Sequence, residues 1–390
     1  MKKFEIKNKR VFEYFGVGED SPEWNDWHWQ YQHRIMDEET LSHVIDMSEQ
    51  EKRDVAVCLK KFRMAVSPYY ASLIDPADPN DPIRRQAVPS IEETKVWPWE
   101  MADPLNEEGD SPVSSIVKRY PDRVLFLVTK CCAMYCRHCT RRRLVGEEDR
   151  SISMEETEEA LDYIRRTPVV RDVLISGGDP LTLPDKRLEY IISELRKIEH
   201  VEIIRIGTRV PVTMPMRITP ELTAMLKKYH PLWINTHFNH PHELTKYSVH
   251  ACEAIADAGI PLGNQSVLLR GINDNTPVMK ELLLGLLQAR VRPYYLYQCD
   301  MSEGLQQFRT DVRTGIRMIQ ELTGNVTGFA VPKFVIDAPG GGGKVPMNPE
   351  YIISMDDKKV VMRNYEGKTY EYPQPEIPYD GDAVSSEKRQ

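Results

Sequence analysis

Residues from about 120 to 340 alternate two hydrophobic patterns. Val124-Leu125-Phe126-Leu127-Val128 is an unbroken apolar run, the pattern of a strand covered on both faces. Ser153 with Glu156 forms a capping-box signal, and Leu161 and Ile164 continue an amphipathic helix behind it. The alternation then repeats. Strands are predicted at 173–175, 201–206, 232–234, 266–269, 294–297 and 334–336. Between them lie helices at 186–198, from Thr219-Pro220 onward, and near 243–258, 277–290 and 309–322. About six βα units followed by one more strand argue for an α/β chain whose parallel sheet rolls into a barrel or partial barrel. A doubly wound open sheet is the alternative, but no G-x-G-x-x-G follows the first strand. On a barrel, chemistry collects at the carboxyl ends of the strands.

Residues 1–110 lack this alternation. They carry Trp24, Trp27, Trp29 and Tyr31, then helical periodicity through Leu41 to Met47 and Val55 to Met64, broken by the turn-rich segment Asp75 to Pro82. The expected organisation is a helical N-terminal region (1–110) around a barrel core (111–345), with a C-terminal extension (346–390). The tryptophans read as core or subunit-contact anchors. Composition changes the picture little: 41% apolar and 28% charged residues are ordinary for a globular chain. No apolar window reaches transmembrane length, and charges interrupt the opening Met1 to Lys7, so no membrane partner and a cytoplasmic location are expected. A net charge of −8 disfavours nucleic acid.

The cysteines change more. Seven is an odd count at low density, which excludes a disulfide scaffold, yet Cys131, Cys132, Cys136 and Cys139 crowd together just after the first apolar run. Cys132, Cys136 and Cys139 form a C-x3-C-x2-C array, and three thiolates on one loop can hold three irons of a cubic [4Fe-4S] cluster. Structural zinc usually wants four protein ligands from paired knuckles, and no second C-x2-C exists. This spacing, with Tyr135 before the second cysteine, resembles the radical S-adenosylmethionine (SAM) superfamily. That resemblance implies a partial (β/α)6 TIM-like barrel whose cluster binds and cleaves SAM. Ser176-Gly177-Gly178-Asp179, after the second strand, resembles the superfamily's glycine-rich segment beneath the SAM amino group.

Asp337 to Lys344 ends four glycines with a lysine. A P-loop fails here because Ala338 and Val345 stand where Gly and Ser or Thr are required. A lysine at a strand terminus can instead anchor pyridoxal phosphate (PLP) through its amine. The stretches CRHCTRRR (136–143), NTHFNHP (235–241), PLGNQSVLLRG (261–271) and YQCD (297–300) then narrow the resemblance to the lysine 2,3-aminomutase family, from about Trp24 to Tyr370. The resemblance implies an isomerase that interconverts L-lysine and L-β-lysine. It makes Lys344 the PLP lysine and places Arg119, Tyr120 and Arg123, in the segment Lys118 to Arg123 just before the first strand, around the PLP phosphate, a role guanidinium forks suit. His138, Gln265 and His237 would line the SAM and PLP space. Arg141 would hold the substrate carboxylate, and Asp300 and Asp337 the ε-ammonium. Two buried aspartates need a cation, which agrees with a basic substrate.

Three alternatives stay open: the same chemistry on arginine, ornithine or glutamate; a non-catalytic iron-sulfur or zinc protein; and, for the aspartates, simple turn capping. The resemblance also implies a small-molecule amino acid substrate, a flavodoxin- or ferredoxin-type reductant and a homo-oligomer. One departure stands out. The family's better-known members carry a zinc site built from a cysteine-rich tail and a residue beyond the Leu-Arg-Gly strand, whereas this chain has Asn275 there and no cysteine from Pro373 to Gln390. No zinc is expected.

Overall fold

The computed structural model describes residues 4–145 and 149–375. Each apolar run becomes a strand of one nine-stranded sheet in which chain order is spatial order: β1 (Ile116–Tyr120), β2 (Arg123–Thr129), β3 (Asp172–Gly177), β4 (Ile203–Gly207), β5 (Leu232–Thr236), β6 (Leu262–Leu268), β7 (Val291–Gln298), β8 (Lys333–Ala338) and β9 (Gly343–Pro346). Strands β2 to β8 are parallel, and β1 and β9 are antiparallel edges. One main helix crosses between each successive parallel pair: α1 (Met154–Arg165), α2 (Asp185–Arg196), α3 (Pro220–Lys227), α4 (Lys246–Asp257), α5 (Thr276–Gln288) and α6 (Val312–Leu322).

The local chemistry explains these boundaries. Ser153 caps α1 with the expected capping box, and Thr219 accepts from the Leu222 N–H at the head of α3 with Pro220 in the first turn. The helices bury their apolar stripes on the outer face of the sheet, as Leu188, Ile191, Ile192 and Leu195 of α2 do. The sheet is nearly a closed barrel. Its two edges meet where the Tyr120 hydroxyl, at the end of β1, accepts the backbone N–H of Lys344 in β9 at 3.0 Å.

Two expectations need correction. The basic segment Lys118 to Arg123 is not a lead-in to the first strand but the β1–β2 hairpin itself, because Ile116 and Val117 pair with Phe126 and Leu125. Strand β6 begins at Leu262 rather than 266; Gly263-Asn264-Gln265 looks like loop in sequence because it carries no apolar side chain. The N-terminal region forms short helices, and its Trp24, Tyr69 and Tyr70 belong to the same hydrophobic core as Phe126 and Ile175. It is therefore packed onto the barrel, not independent of it. A separate three-stranded antiparallel sheet, β10 (Ile352–Met355), β11 (Lys359–Arg363) and β12 (Thr369–Pro373), makes up the described C-terminal extension, while the cysteine-free tail beyond residue 375 lies outside the described residues. Among the described residues no helix is long and apolar enough to cross a membrane.

Candidate active site

A cavity of about 560 Å³ opens at the carboxyl ends of the parallel strands, within the range of small-molecule sites. Every residue singled out from sequence lines it: Cys132, Cys136, Cys139, His138, Ser176, Gly177, Gly178, Asp179, His237, Gln265, Arg119, Tyr120, Arg123, Arg141, Asp300, Asp337 and Lys344. The barrel explains this convergence, since strand-end loops far apart in sequence share one rim.

The cysteine loop follows β2. All three cysteines are free and half-buried. Burial raises the Cys132 thiol well above its ordinary value and pushes Cys139 up to about 11. Among the described residues, no three His, Cys, Asp or Glu side chains converge on a single ion. A cubic cluster asks something different, one thiolate for each of three irons. The donor set therefore fits it.

The loop is clamped from beneath. Fully buried Glu93 accepts from Arg137 Nε at 3.1 and 3.2 Å and also pairs with Arg142, whose guanidinium lies 3.7 Å over the Phe62 ring. Gly177 and Gly178 act on the same loop. A Cβ on Gly178 would sit 2.2 Å from the Cys131 carbonyl oxygen, and one on Gly177 2.3 Å from that of Thr129. These glycines thus let β3 close against the cysteine loop while they line the cavity. Asp179 is committed as well, accepting from Thr208 Oγ1 at 2.6 Å and from the N–H groups of Arg209, Val210 and Leu181.

Histidines form the next layer. The Asn239 amide donates to His138 Nε2 at 3.2 Å, so that nitrogen is an acceptor and Nδ1 carries the proton. His237 Nε2 is 3.3 Å from the same atom. Burial, then the charge of Arg209, lowers His138 well below its ordinary value and His237 to about 3, so both are neutral. His138 Nδ1 is buried without a partner, a donor that suits a bound ligand.

At the other side of the cavity Lys344 Nζ lies 3.0 and 3.3 Å from the Asp337 oxygens and 5.3 Å over the Tyr297 ring. Among the described residues, no cation forms an ion pair with Asp300, at the end of β7. Burial and the neighbouring Asp337 charge push its carboxyl up to about 7. Arg123 stacks on Tyr120 at 4.1 Å, while Arg119 is held by Asp110 at 3.1 Å and by the Leu105 carbonyl. An amine beside two guanidinium groups and a tyrosine fits PLP. Arg141 is already half engaged: Glu107 takes its Nε and Nη2 at 3.0 and 2.6 Å, leaving Nη1 for a further carboxylate. Sequence reasoning missed Glu107, Glu93 and Arg209. The only available signal was the run of arginines in 137–143, which cannot be buried without carboxylate partners.

A partial barrel with three cysteines on its first parallel strand's loop defines a radical SAM enzyme, and residues 126–283 match the Radical SAM superfamily. Residues 319–389 match the description Lysine-2,3-aminomutase. The L-lysine 2,3-aminomutase of Clostridium subterminale is 57% identical over 366 residues, covering 94% of this chain and 88% of that protein. That of Bacillus subtilis is 50% identical over 387 residues, covering 98% and 82%. The glutamate 2,3-aminomutase of Clostridioides difficile is 47% identical over 369 residues, covering 94% and 87%. The chain belongs to the lysine 2,3-aminomutase family. It is an isomerase whose cofactors are a [4Fe-4S] cluster, SAM and PLP.

Proposed function

We propose that this enzyme interconverts L-lysine and L-β-lysine by moving the amino group between the α- and β-carbons. The observation that carries the reading is the pair of carboxylates at the ends of β7 and β8, of which Asp337 is paired with the amine of Lys344 and Asp300, among the described ion pairs, with no cation. A substrate ε-ammonium supplies the missing cation. A glutamate side chain would instead meet the carboxylates of Asp300 and Asp337 at that end of the cavity.

We assign Cys132, Cys136 and Cys139 to the cluster, Lys344, Arg119, Tyr120 and Arg123 to PLP, and His138, His237, Gln265 and the 176–179 segment to the walls of the SAM and PLP space. When bound, these cofactors supply hydrogen abstraction at an unactivated carbon and a conjugated system that spreads the unpaired electron while nitrogen migrates. The chain supplies placement. Arg141 Nη1 takes the substrate carboxylate, its fork held in plane by Glu107. Asp300 and Asp337 take the far ammonium, which fixes the substrate chain at both ends and sets its β-carbon at one depth in the cavity. Lys344 must leave Asp337 to act as an amine, and Asp337 is placed to hold the proton that Nζ gives up. The incoming ammonium then takes the seat that Nζ vacates, and the Asp300 carboxylate supplies its counter-charge while Asp337 holds that proton.

A cytoplasmic location and a flavodoxin- or ferredoxin-type reductant complete the proposal. So does a homo-oligomer, supported by the C-terminal sheet. Ile352, Met355, Tyr370 and Tyr372 are exposed, and cross-strand pairing through Val360 and Met362 sets all of them on one face. The test of function is anaerobic turnover of lysine, arginine, ornithine and glutamate with reduced cluster, SAM and PLP. Lysine should give β-lysine. Turnover of another amino acid without lysine would overturn the assignment.

A further inference from the structure

Arg209 lies just past the end of β4, and its guanidinium reaches one of the three cysteines. Nη1 donates to Cys136 Sγ at 2.8 Å. The other nitrogens are fixed in other directions: Nη2 donates to Glu243 Oε1 at 2.8 Å and Gln86 Oε1 at 2.6 Å, and Nε donates to the His237 carbonyl at 3.1 Å. Even the backbone N–H of Arg209 is held, by Asp179 at 2.6 Å. Glu243 is fully buried and accepts in turn from the Tyr70 hydroxyl at 2.8 Å and from the N–H groups of Asn239 and His240 at 2.6 and 2.9 Å. Among the described hydrogen bonds, neither Cys132 nor Cys139 receives a side-chain donor at sulfur. One thiol of three is therefore singled out by a rigid cation.

A buried guanidinium already paired with a carboxylate has no need of a sulfur acceptor for its own neutralisation. The consequence falls on the sulfur. Hydrogen bonds and positive charge at a cluster-ligating sulfur stabilise the more negative, reduced cluster and so raise its reduction potential, and low dielectric strengthens the effect. We infer that Arg209 is a positioning residue that raises the reduction potential of the cluster through Cys136, and that Glu243 moderates this by offsetting its charge. The inference rests on Cys136 being a cluster ligand, as proposed above.

The pair gives opposite signs, which a merely structural role would not. Wild type, Arg209→Gln and Glu243→Gln are reconstituted with iron and sulfide, assayed for both elements, and titrated for midpoint potential by electron paramagnetic resonance without SAM or lysine. At equal iron content, Arg209→Gln should titrate at lower potential than wild type and Glu243→Gln at higher potential. An unchanged or raised potential in Arg209→Gln overturns the inference. Should Arg209→Gln hold no cluster, Glu243→Gln decides: a rise supports the inference, and no change or a fall overturns it. Cluster loss in both variants makes the pair structural and also overturns it. A wild type without a [4Fe-4S] signal brings down the cluster assignment itself, which the iron content reports separately.

Discussion

Asp300→Asn should make the resting protein more stable and the enzyme worse. The Asp300 carboxyl is raised from 3.8 to about 7, chiefly by burial and then by the Asp337 charge. Because its folded value lies above its unfolded one, the folded state binds the proton more tightly. Ionisation therefore erodes stability progressively as pH climbs from about 4 to about 7, and the loss is constant above that. At 1.36 kcal/mol per pH unit the rise corresponds to at most about 4 kcal/mol, and access of water through the cavity reduces it to roughly 1–2 kcal/mol. Asparagine keeps the shape and removes the charge. At about 2.1 cal/mol/K of unfolding entropy per residue, Tm should rise by roughly 1–3 °C near pH 8 and by less near pH 5. Lysine meanwhile loses a charge-assisted hydrogen bond of about 1.5–3 kcal/mol, so its KM should rise roughly ten- to hundredfold. Thermal unfolding of the cofactor-free variant at both pH values, with lysine saturation curves of the loaded enzyme, checks both halves. A lower Tm near pH 8, or an unchanged KM, would refute the reasoning.

Other outcomes follow from single contacts. Gly178→Ala should prevent normal cluster loading, because its Cβ would lie 2.2 Å from a backbone oxygen of the cysteine loop; iron content equal to wild type would show that the loop can yield. Glu93→Gln should cost about 3–5 kcal/mol, since Arg137 and Arg142 lose their shared buried counter-charge. Burial alone would raise the Glu93 pKa, but the two guanidiniums outweigh it and hold it below its ordinary 4.5, so its contribution is present above that pH and fades as pH falls. Denaturant unfolding near neutral pH and under acid conditions reads both, and a variant as stable as wild type near pH 7 contradicts the clamp. Elemental analysis of purified protein should find iron without stoichiometric zinc, and stoichiometric zinc would overturn that expectation.

The parallel strands and crossing helices were legible because a strand covered on both faces must be a short apolar run, and the intervening helices carry caps and a one-sided stripe. What escaped the pattern had a local reason. β1 and β9 are edges whose Arg119 and Lys344 face the cavity, and these charges, with Lys118 beside them, break the apolar signal. The start of β6 was hidden because Asn264 is buried but polar, bonded to the Phe238 backbone. Within the site, residues that do chemistry stood in recognisable spacings, whereas those that hold them did not. Glu107 sits in an irregular segment with no motif, 34 residues from Arg141, and Glu243 is 34 from Arg209. Such pairs are created by the closing of the barrel, and only the fold reveals them.

The central claim is that the two strand-end aspartates choose lysine for an amino shift between adjacent carbons. Chiral chromatography of the products formed anaerobically from L-lysine with reduced cluster, SAM and PLP tests it most directly. L-lysine should convert to L-β-lysine until the two reach a fixed ratio, and L-β-lysine as starting material should reach the same ratio. Lysine left unchanged by an enzyme that carries its full iron and PLP complement would contradict it.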